Sequence, residues 1–236
     1  MDKATEARIS QTRRANEWYA AYAEQKIQRL VPRAYRGGWD GDDTSTPEYA
    51  KLKAAARAWV CDFVSRQTIG LRLGGGVGCG KTRLGFAILE ALIRRGIHAV
   101  SYVNSIDLFA QIRNCFDSPE HHEADLFADL LNNDVLFIDD LGAESGRGRD
   151  CPDYVLERLY FLLDRAIRDS RPAVIVSSNL GLSGLAKLYG PGNGERIASR
   201  LSEMTKILGE FPRLDMRLEK LNRRKLAEIV PATSVV

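Results

Sequence analysis

The chain has 236 residues, more than the roughly 150 of a typical domain, so one α/β domain with an appendage fits better than two full domains. Hydrophobic residues make up 44% and charged residues 28% of the chain, which argues against a mostly disordered or fibrous protein. The 34 basic and 31 acidic residues leave a net charge of only +3. This excludes a protein that binds nucleic acid through a surface that is basic all over, but it does not exclude a local basic strip.

Cysteine and histidine are too scattered for a zinc module or a disulfide framework. The chain has three histidines, and none of its four cysteines forms a CxxC pair. The cysteines are Cys61, Cys79, Cys115 and Cys151. No window approaches the ~18 to 20 apolar residues of a membrane span, and the N-terminal residues lead into no apolar segment. We therefore expect a cytoplasmic protein that is neither exported nor inserted in a membrane.

A helix is predicted over residues 4 to 31, where apolar side chains recur every four residues. The recurring residues form two rows, Trp18 with Tyr22, and Tyr19 with Ala23, Ile27 and Val31. Pro32 ends this helix, and a segment rich in Gly, Asp, Thr and Pro follows as far as Pro47. We therefore predict an N-terminal helical arm and linker over residues 1 to 46. Its aromatic residues either dock on a partner or pack on the chain's own core.

From Pro47 onward the pattern predicts an α/β domain. A first helix runs from Thr46 to about Gln67, and short β runs then alternate with helical segments. The predicted elements are IGLRL, a helix over 81–95, HAVSYV, two helices between 104 and 131, DVLFID, a helix over 152–168, AVIVSS, short helices over 181–188 and 193–204, and a fifth strand near KILGEF. Such alternation is typical of a mostly parallel sheet with helices on both faces.

Charge is distributed unevenly along this domain and its flanks. Between Asn114 and Ser145 there are acidic residues but no Lys or Arg, whereas basic residues predominate in residues 1 to 36 and from Arg196 onward. Each basic segment is either a solvated helix face or a surface that contacts nucleic-acid phosphates or an acidic partner.

A glycine-rich turn joins the first predicted strand to the helix over 81–95. It matches G-x-x-x-x-G-K-[ST] in the strand–turn–helix context that confirms this motif. Its main-chain N–H groups can surround phosphate oxygens, Lys81 can place an ammonium on the β and γ phosphates, and Thr82 can offer a hydroxyl to Mg²⁺. The predicted nucleotide-binding residues are Gly75, Gly76, Val77, Gly78, Cys79, Gly80, Lys81 and Thr82. The alternative is a glycine turn that only looks like the motif.

Polar side chains follow two later strands. Asp139 and Asp140 end the strand DVLFID, and ligands of parallel sheets gather beyond such carboxyl ends. Asp139 is the predicted Mg²⁺ ligand and Asp140 the residue that polarises the attacking water, unless the pair only caps a turn. Asn179 ends the run AVIVSSN, where it can orient water or simply begin a turn.

Taken in this order, residues 69 to about 217 resemble the AAA+ ATPases, and specifically the bacterial helicase loaders of the DnaC type and their IstB-like transposition relatives. The resemblance rests on the segments GGGVGCGKT, VLFIDDLG, VSSN and ERIASRL. In addition, LVPRAYRGGWDGDD (residues 30–43, the lead-in) is similar to the short segment that precedes the ATPase core in these loaders. It implies an α/β P-loop NTPase fold with about five parallel strands and a reduced or absent lid. The AAA+ domain would span residues 47 to 220, followed by a basic, flexible tail over 221 to 236.

The resemblance also assigns roles to individual residues. Asn179 matches the sensor that acts in hydrolysis, and Arg200 matches an arginine finger that reaches the nucleotide of a neighbouring subunit, with Arg196 as a weaker rival. A guanidinium can stabilise charge that develops on a transferred phosphoryl group. Without the resemblance, Arg200 would be taken for a surface arginine in an ion pair. Arg217 resembles an arginine that senses nucleotide in cis.

In the same family an extra helix faces single-stranded DNA, and here it corresponds to NSIDLFAQIRNCF. Arg113 is the only basic residue of this segment, so the segment carries little positive charge for binding DNA phosphates. Four apolar residues recur at helical spacing and are expected to lie in the core rather than to stack on bases. They are Leu108, Phe109, Ile112 and Phe116.

The resemblance implies an ATPase with ATP and Mg²⁺ as cofactors, which loads a DnaB-type replicative helicase onto single-stranded DNA. It would form a homo-oligomer with ATP at the subunit interfaces, and the N-terminal helix would dock on the helicase. Three alternatives stay open at this point: an IstB-like ATPase helper of a DNA transposase, a small-molecule kinase, and a nucleotide-gated adaptor without useful turnover.

Overall fold

Helices and strands alternate along most of the chain. The computed structural model describes residues 3–40, 46–66, 69–117, 122–144 and 151–219. The helices are α1 (Lys3–Leu30), α2 (Pro47–Arg66), α3 (Lys81–Arg94), α4 (Ser105–Asp117), α5 (Glu123–Leu131), α6 (Asp153–Arg168), α7 (Leu182–Leu188) and α8 (Asn193–Met204), with a 3-10 turn at Arg33–Tyr35. The strands are β1 (Gly70–Gly74), β2 (Val100–Asn104), β3 (Val135–Asp139), β4 (Ala173–Ser178) and β5 (Thr205–Ile207).

The five strands form one parallel sheet in the order β2-β3-β4-β1-β5. The first strand therefore lies between β4 and β5, so the chain crosses over the sheet several times. Gly74 pairs with Ser178, and Ile138 pairs with Val176, so the carboxyl ends of β1, β3 and β4 lie side by side. This sheet with helices on both faces confirms the predicted α/β fold, and the predicted site residues other than Arg200 follow its strands at one edge.

Two apolar clusters cover the two faces of the sheet. One packs α1, α2 and α3 against it, and the other packs α4 to α8. Leu108, Phe109 and Ile112 are fully buried in the second cluster, as predicted. Phe116 is 52% exposed, so the prediction that it lies in the core is wrong. It belongs to the last turn of α4, where its ring packs on the surface against Tyr154, with ring centroids 4.4 Å apart.

The C-terminal half of α1 packs on the core of the α/β domain, whereas the aromatic residues before it are exposed to solvent. Ala23, Ile27 and Val31, in its C-terminal half, are buried in the same cluster as α3. Trp18 and Tyr19 lie one turn earlier and are 61% and 56% exposed. The two alternatives for the aromatic residues are therefore each met in part: Trp18 and Tyr19 are exposed, whereas the Tyr22 ring packs edge-on against His98, with ring centroids 4.9 Å apart.

The lead-in that follows α1 is tied to the core by its polar groups. The Arg36 guanidinium donates to the carbonyl oxygens of Val31 (2.9 Å) and Gln28 (2.7 Å). Two main-chain carbonyl groups at the C-terminal end of α1 thereby gain a hydrogen-bond partner. The Gly38 N–H donates to the buried carboxylate of Glu90 on α3 at 2.9 Å. The described part of the lead-in, as far as residue 40, therefore lies against α3.

The cysteines, the possible metal ligands and the C-terminal segment lie mostly outside the sheet. All four cysteines are free thiols, and the described ranges contain no cluster of three or more His, Cys, Asp or Glu side chains suited to a metal ion. None of the helices described is long and apolar enough to cross a membrane. After β5, the described chain adds one helical turn at residues 216–219, and the predicted basic tail over 221 to 236 lies outside the described residues.

Candidate functional site

A cleft of about 250 Å³ opens at the carboxyl edge of the sheet, where β1 and β4 end. Its walls come from the glycine turn after β1, from the residues after β3 and β4, from the lead-in, and from the segment after β5. The lining residues are Tyr35, Val77, Gly78, Gly80, Lys81, Thr82, Arg83, Asp140, Asn179, Met216 and Arg217. The fold thus brings the predicted glycine turn, one acidic residue and Asn179 to one cavity.

The glycine turn needs glycine at two positions for conformational and steric reasons. Gly78 and Gly80 have φ angles of +73° and +95°, in the left-handed region that L side chains rarely adopt. A Cβ atom on Gly78 would lie 2.1 Å from Oδ1 of Asp215, so the segment after β5 could not approach as it does. The N–H of Met216 donates to the Gly78 carbonyl at 3.0 Å. The C-terminal segment therefore helps to hold the turn in shape.

Lys81, the first residue of α3, is buried and held inside the turn. Its Nζ donates to the carbonyl oxygens of Gly75 (2.9 Å) and Gly76 (2.7 Å) and to Oδ1 of Asn179 (2.7 Å). Only 7% of the residue is exposed. These three acceptors use all three N–H bonds of the ammonium, so a bound phosphate would take the place of some of them.

The carboxylate of Asp139 lies beside the start of α3. Its Oδ1 accepts hydrogen bonds from Thr82 Oγ1 at 3.1 Å and from the Ser177 hydroxyl, and its Oδ2 accepts one from Tyr102 at 3.4 Å. Burial raises the pKa of this carboxyl, while the hydrogen bonds from Ser177 and Thr82 act in the opposite direction.

The pair of Thr82 and Asp139 fits a magnesium ion. Thr82 Oγ1 and Asp139 Oδ1 lie 3.1 Å apart beside the cleft, and both are hard oxygen ligands. Mg²⁺ is commonly bound in proteins by one or two such groups together with substrate phosphates. A cation at this position would also favour the ionised form of the buried Asp139. When bound, Mg²⁺ supplies neutralisation of phosphate charge.

Asp140 lines the cleft with an unusual main chain. Its φ is +57°, one of two positive values among the described non-glycine residues. Its Oδ1 accepts a hydrogen bond from Nδ2 of Asn179 at 3.2 Å, while Oδ1 of the same amide faces Lys81. Asn179 thus connects the carboxylate predicted to polarise water to the ammonium predicted to bind phosphate.

The two predicted arginines differ in their position. Arg217 lies on the turn after β5 and lines the cleft, and the preceding Asp215 caps this turn by accepting from the Arg217 N–H at 2.9 Å. Arg200, on α8, does not line the cleft of its own chain. It pairs with Asp164 (3.1 Å) and Glu203 (2.8 Å), as the ion-pair alternative predicts.

An aromatic ring connects Arg200 to its rival Arg196. The hydroxyl of Tyr160 accepts a hydrogen bond from Arg200 at 3.3 Å, and the Arg196 guanidinium lies 3.9 Å from the centroid of the same ring. Hydrogen bonds from Arg200 and then Arg196 lower the pKa of Tyr160. Both guanidinium groups are therefore arranged on one surface of α6 and α8.

Sequence reasoning missed Arg83 on α3, which lines the cleft, and three further contributors to the site. Tyr35 lines the cleft and stacks on Phe86, with centroids 5.2 Å apart, although the lead-in that carries it had been recognised. Met216 lines the cleft from the segment after β5. Tyr102 reaches Asp139 only because β2 lies beside β3, and no sequence signal indicates that strand order.

Comparison with known proteins found a matching family model and similar proteins. Residues 44–192 match the model of the family described as IstB-like ATP binding protein. The chromosomal replication initiator protein DnaA of Bordetella petrii is 29% identical over 197 residues, which cover 80% of this chain and 37% of that protein. The chain thus spans little more than a third of that relative's length.

Two solved structures are similar to this chain in fold. The structure of DnaI matches with a TM-score of 0.61 and 22% identity, over 81% of this chain and 98% of that one. The DnaC helicase loader matches with a TM-score of 0.58 and 21% identity, over 77% of this chain and 100% of that one.

Proposed function

We propose that this chain, which belongs to the IstB-like ATP-binding protein family, is an ATP-dependent DNA replication factor that loads a replicative helicase onto single-stranded DNA. The observation that carries the ATP-dependent part of this proposal is the meeting of five side chains at one edge of the sheet, those of Lys81, Thr82, Asp139, Asp140 and Asn179. These side chains supply a cation for phosphates, two oxygens for Mg²⁺, and a carboxylate oriented by an amide.

ATP hydrolysis is the proposed reaction of this cleft. The glycine turn and Lys81 bind the phosphates, and Thr82 with Asp139 forms the magnesium site. Asp140 polarises the attacking water, and its carboxylate is oriented for this by the amide of Asn179. Arg217 contacts the nucleotide from the wall of the same chain.

We propose that the site is completed by a second copy of the chain. Arg200 does not line its own cleft, and its half-buried side chain lies between α6 and α8, where it contacts Asp164 and Tyr160. In a homo-oligomer with ATP at the subunit interfaces, it would leave its carboxylate partners and face the phosphates of its neighbour. The resemblance of ERIASRL to the finger segment of helicase loaders supports this role.

The partner surface is assigned to the exposed row of α1. Trp18 stacks on Tyr22 with ring centroids 5.5 Å apart, and Tyr19 packs edge-on against Trp18 at 5.1 Å. Exposed aromatic side chains of this kind carry much of the binding energy at protein interfaces. The proposed partner is a DnaB-type replicative helicase, and this partnership follows from the likeness to helicase loaders.

Single-stranded DNA is the second proposed partner. The helix that corresponds to the DNA-facing helix of the family is α4, and it buries Leu108, Phe109 and Ile112. Its one basic residue is Arg113, so a useful electrostatic footprint requires several copies of α4 side by side. We therefore propose that DNA contact depends on the oligomer.

A second candidate function is that of an ATPase helper of a DNA transposase. The match of residues 44–192 to the IstB-like family model favours it. The cleft would perform the same chemistry in both cases, so the identity of the bound partner separates the two functions.

The docking proposal is tested with the double substitution Trp18→Ala/Tyr19→Ala, since these two rings are the more exposed ones and Tyr22 also packs on His98. We expect at least a roughly tenfold loss of affinity for the DnaB-type helicase of the same cell, because aromatic anchors dominate such interfaces. Nucleotide binding should be unchanged, since neither ring touches the cleft. Purified proteins in a pull-down, followed by surface plasmon resonance, give the measurement. Deleting the arm is a poorer test, because Ile27 and Val31 belong to the core and Tyr35 to the cleft.

Phe161→Ala is the matched control, since this ring is also exposed but lies on α6. Undiminished helicase binding by the double variant would refute the proposed docking surface. Loss of helicase binding in the control as well would show that the aromatic row has no special role.

A further inference from the structure

The main chain at Asp140 is held in a conformation that its residue type does not favour. A φ of +57° is uncommon for a residue other than glycine, although aspartate tolerates it better than most. Such a conformation persists only where the surroundings enforce it, and it is frequent at functional sites. The contacts that enforce it therefore show how the carboxylate is aimed.

Two buried serine hydroxyls hold the peptide groups on the two sides of Asp140. The Asp140 N–H donates to the hydroxyl oxygen of Ser177 at 2.8 Å. The Ser105 hydroxyl donates to the Asp140 carbonyl oxygen at 2.9 Å. Ser105 and Ser177 are 0% and 1% exposed, so water does not compete for either hydrogen bond.

The two hydroxyls come from different elements, and this fixes the position of Asp140 in the cleft. Ser105 is the first residue of α4, and Ser177 is the penultimate residue of β4. The N–H of Leu141, the next residue, donates to the carbonyl oxygen of Ser177 at 2.8 Å. The turn after β3 is therefore attached both to the neighbouring strand and to the helix that follows β2.

We propose that Ser105 and Ser177 are positioning residues for hydrolysis: they hold Asp140 in the left-handed conformation and thereby aim its carboxylate at Asn179 and the attacking water. The proposal rests on the proposed ATPase activity and adds two residues to it. Ser177 also donates to Asp139, so its substitution would disturb the magnesium site as well. The described hydrogen bond of the Ser105 side chain goes to Asp140 and not to Thr82 or Asp139, so Ser105 is the residue to test.

The experiment compares Ser105→Ala, Ser105→Thr and a matched control in steady-state ATP hydrolysis. Loss of one buried hydrogen bond to the Asp140 carbonyl should lower kcat roughly tenfold in Ser105→Ala. The Kd for a non-hydrolysable ATP analogue should stay unchanged, because the glycine turn, Lys81 and Thr82 are untouched. Ser105→Thr keeps the hydroxyl and should retain kcat. The control is Ser101→Ala, since the hydroxyl of this half-buried serine on β2 has no hydrogen-bond partner in the described part of the chain.

A double-mutant cycle shows whether Ser105 acts through Asp140. In the Asp140→Asn background, where no carboxylate remains to be aimed, Ser105→Ala should cause no further loss of kcat. An undiminished kcat in Ser105→Ala, a threonine variant as poor as the alanine variant, or a full further loss in the Asp140→Asn background would each overturn the proposal. If the wild-type protein shows no ATP hydrolysis at all, the proposed function fails instead, so the two failures are distinguishable.

Discussion

Arg200→Ala should lower the ATP turnover of the assembled protein by about 10³-fold, the lower end of the effect of arginine fingers in GTPases. A guanidinium that reaches the γ-phosphate from a neighbouring subunit stabilises charge that develops as the phosphoryl group is transferred. The affinity of each chain for nucleotide should change little, because Arg200 does not line its own cleft. Phosphate release measured at protein concentrations above and below assembly gives the result.

The ion pair of Arg200 supplies the control for this variant. Asp164 is buried and pairs with both Arg200 and Arg168. Arg168→Ala removes the other partner of the same carboxylate, so it reproduces the loss of one ion pair of Asp164 without removing the proposed finger. We expect Arg168→Ala to retain turnover. Equal losses of turnover in both variants would show that Arg200 serves α6 and α8 rather than a neighbouring site.

Mixing variants tests directly whether Arg200 acts in trans. Arg200→Ala keeps an intact cleft, and Asp140→Asn keeps an intact finger. Where the two chains meet in an oligomer, some interfaces combine the intact cleft with the intact finger, and the mixture should recover part of the wild-type turnover. A mixture no more active than its two components would contradict the shared site.

Asp140→Asn should lower turnover by about 10²-fold and leave nucleotide binding intact. The amide cannot accept a proton from the attacking water, whereas Lys81, Thr82 and Asp139 still hold phosphates and metal. Asparagine also tolerates a positive φ, so the main chain of the turn should survive the substitution. Phosphate release and analogue binding, measured on the same preparation, separate the two effects.

Asp134→Asn is the matched control for Asp140→Asn. Asp134 precedes the same strand at its opposite end, where it pairs with Arg171 at 2.9 Å, so its loss should not affect turnover. Undiminished turnover in Asp140→Asn would contradict the proposed role of Asp140, whereas the absence of measurable turnover in the wild type would favour the alternative of a nucleotide-gated adaptor.

Local patterns were sufficient to predict most of the fold. Apolar periodicity and turn residues indicate the helices and strands, and Gly75 to Thr82 indicate the phosphate turn, because each signal lies within a few residues of chain. Phe116 was misplaced because a helical period does not show where the core ends along α4. Trp18 and Tyr22 also illustrate this limit, since only the structure shows which row of α1 is covered.

The rest of the site depends on contacts between distant segments. Tyr102 and Ser105 reach the turn after β3 because β2 and the start of α4 lie beside it. Asp215 approaches Gly78 because the chain returns to the glycine turn after β5. These contacts follow from the order of strands in the sheet, which hydrophobic periodicity does not specify.

The central claim is that the cleft binds nucleotide with Mg²⁺, and calorimetric titration with a non-hydrolysable ATP analogue tests it most directly. We expect one saturable site per wild-type chain in the presence of Mg²⁺ and no detectable binding to Lys81→Ala. Lys187→Ala, which removes an exposed lysine of α7, should bind as the wild type does. A wild-type protein without saturable heat, or a Lys81→Ala variant with the wild-type isotherm, would contradict the account.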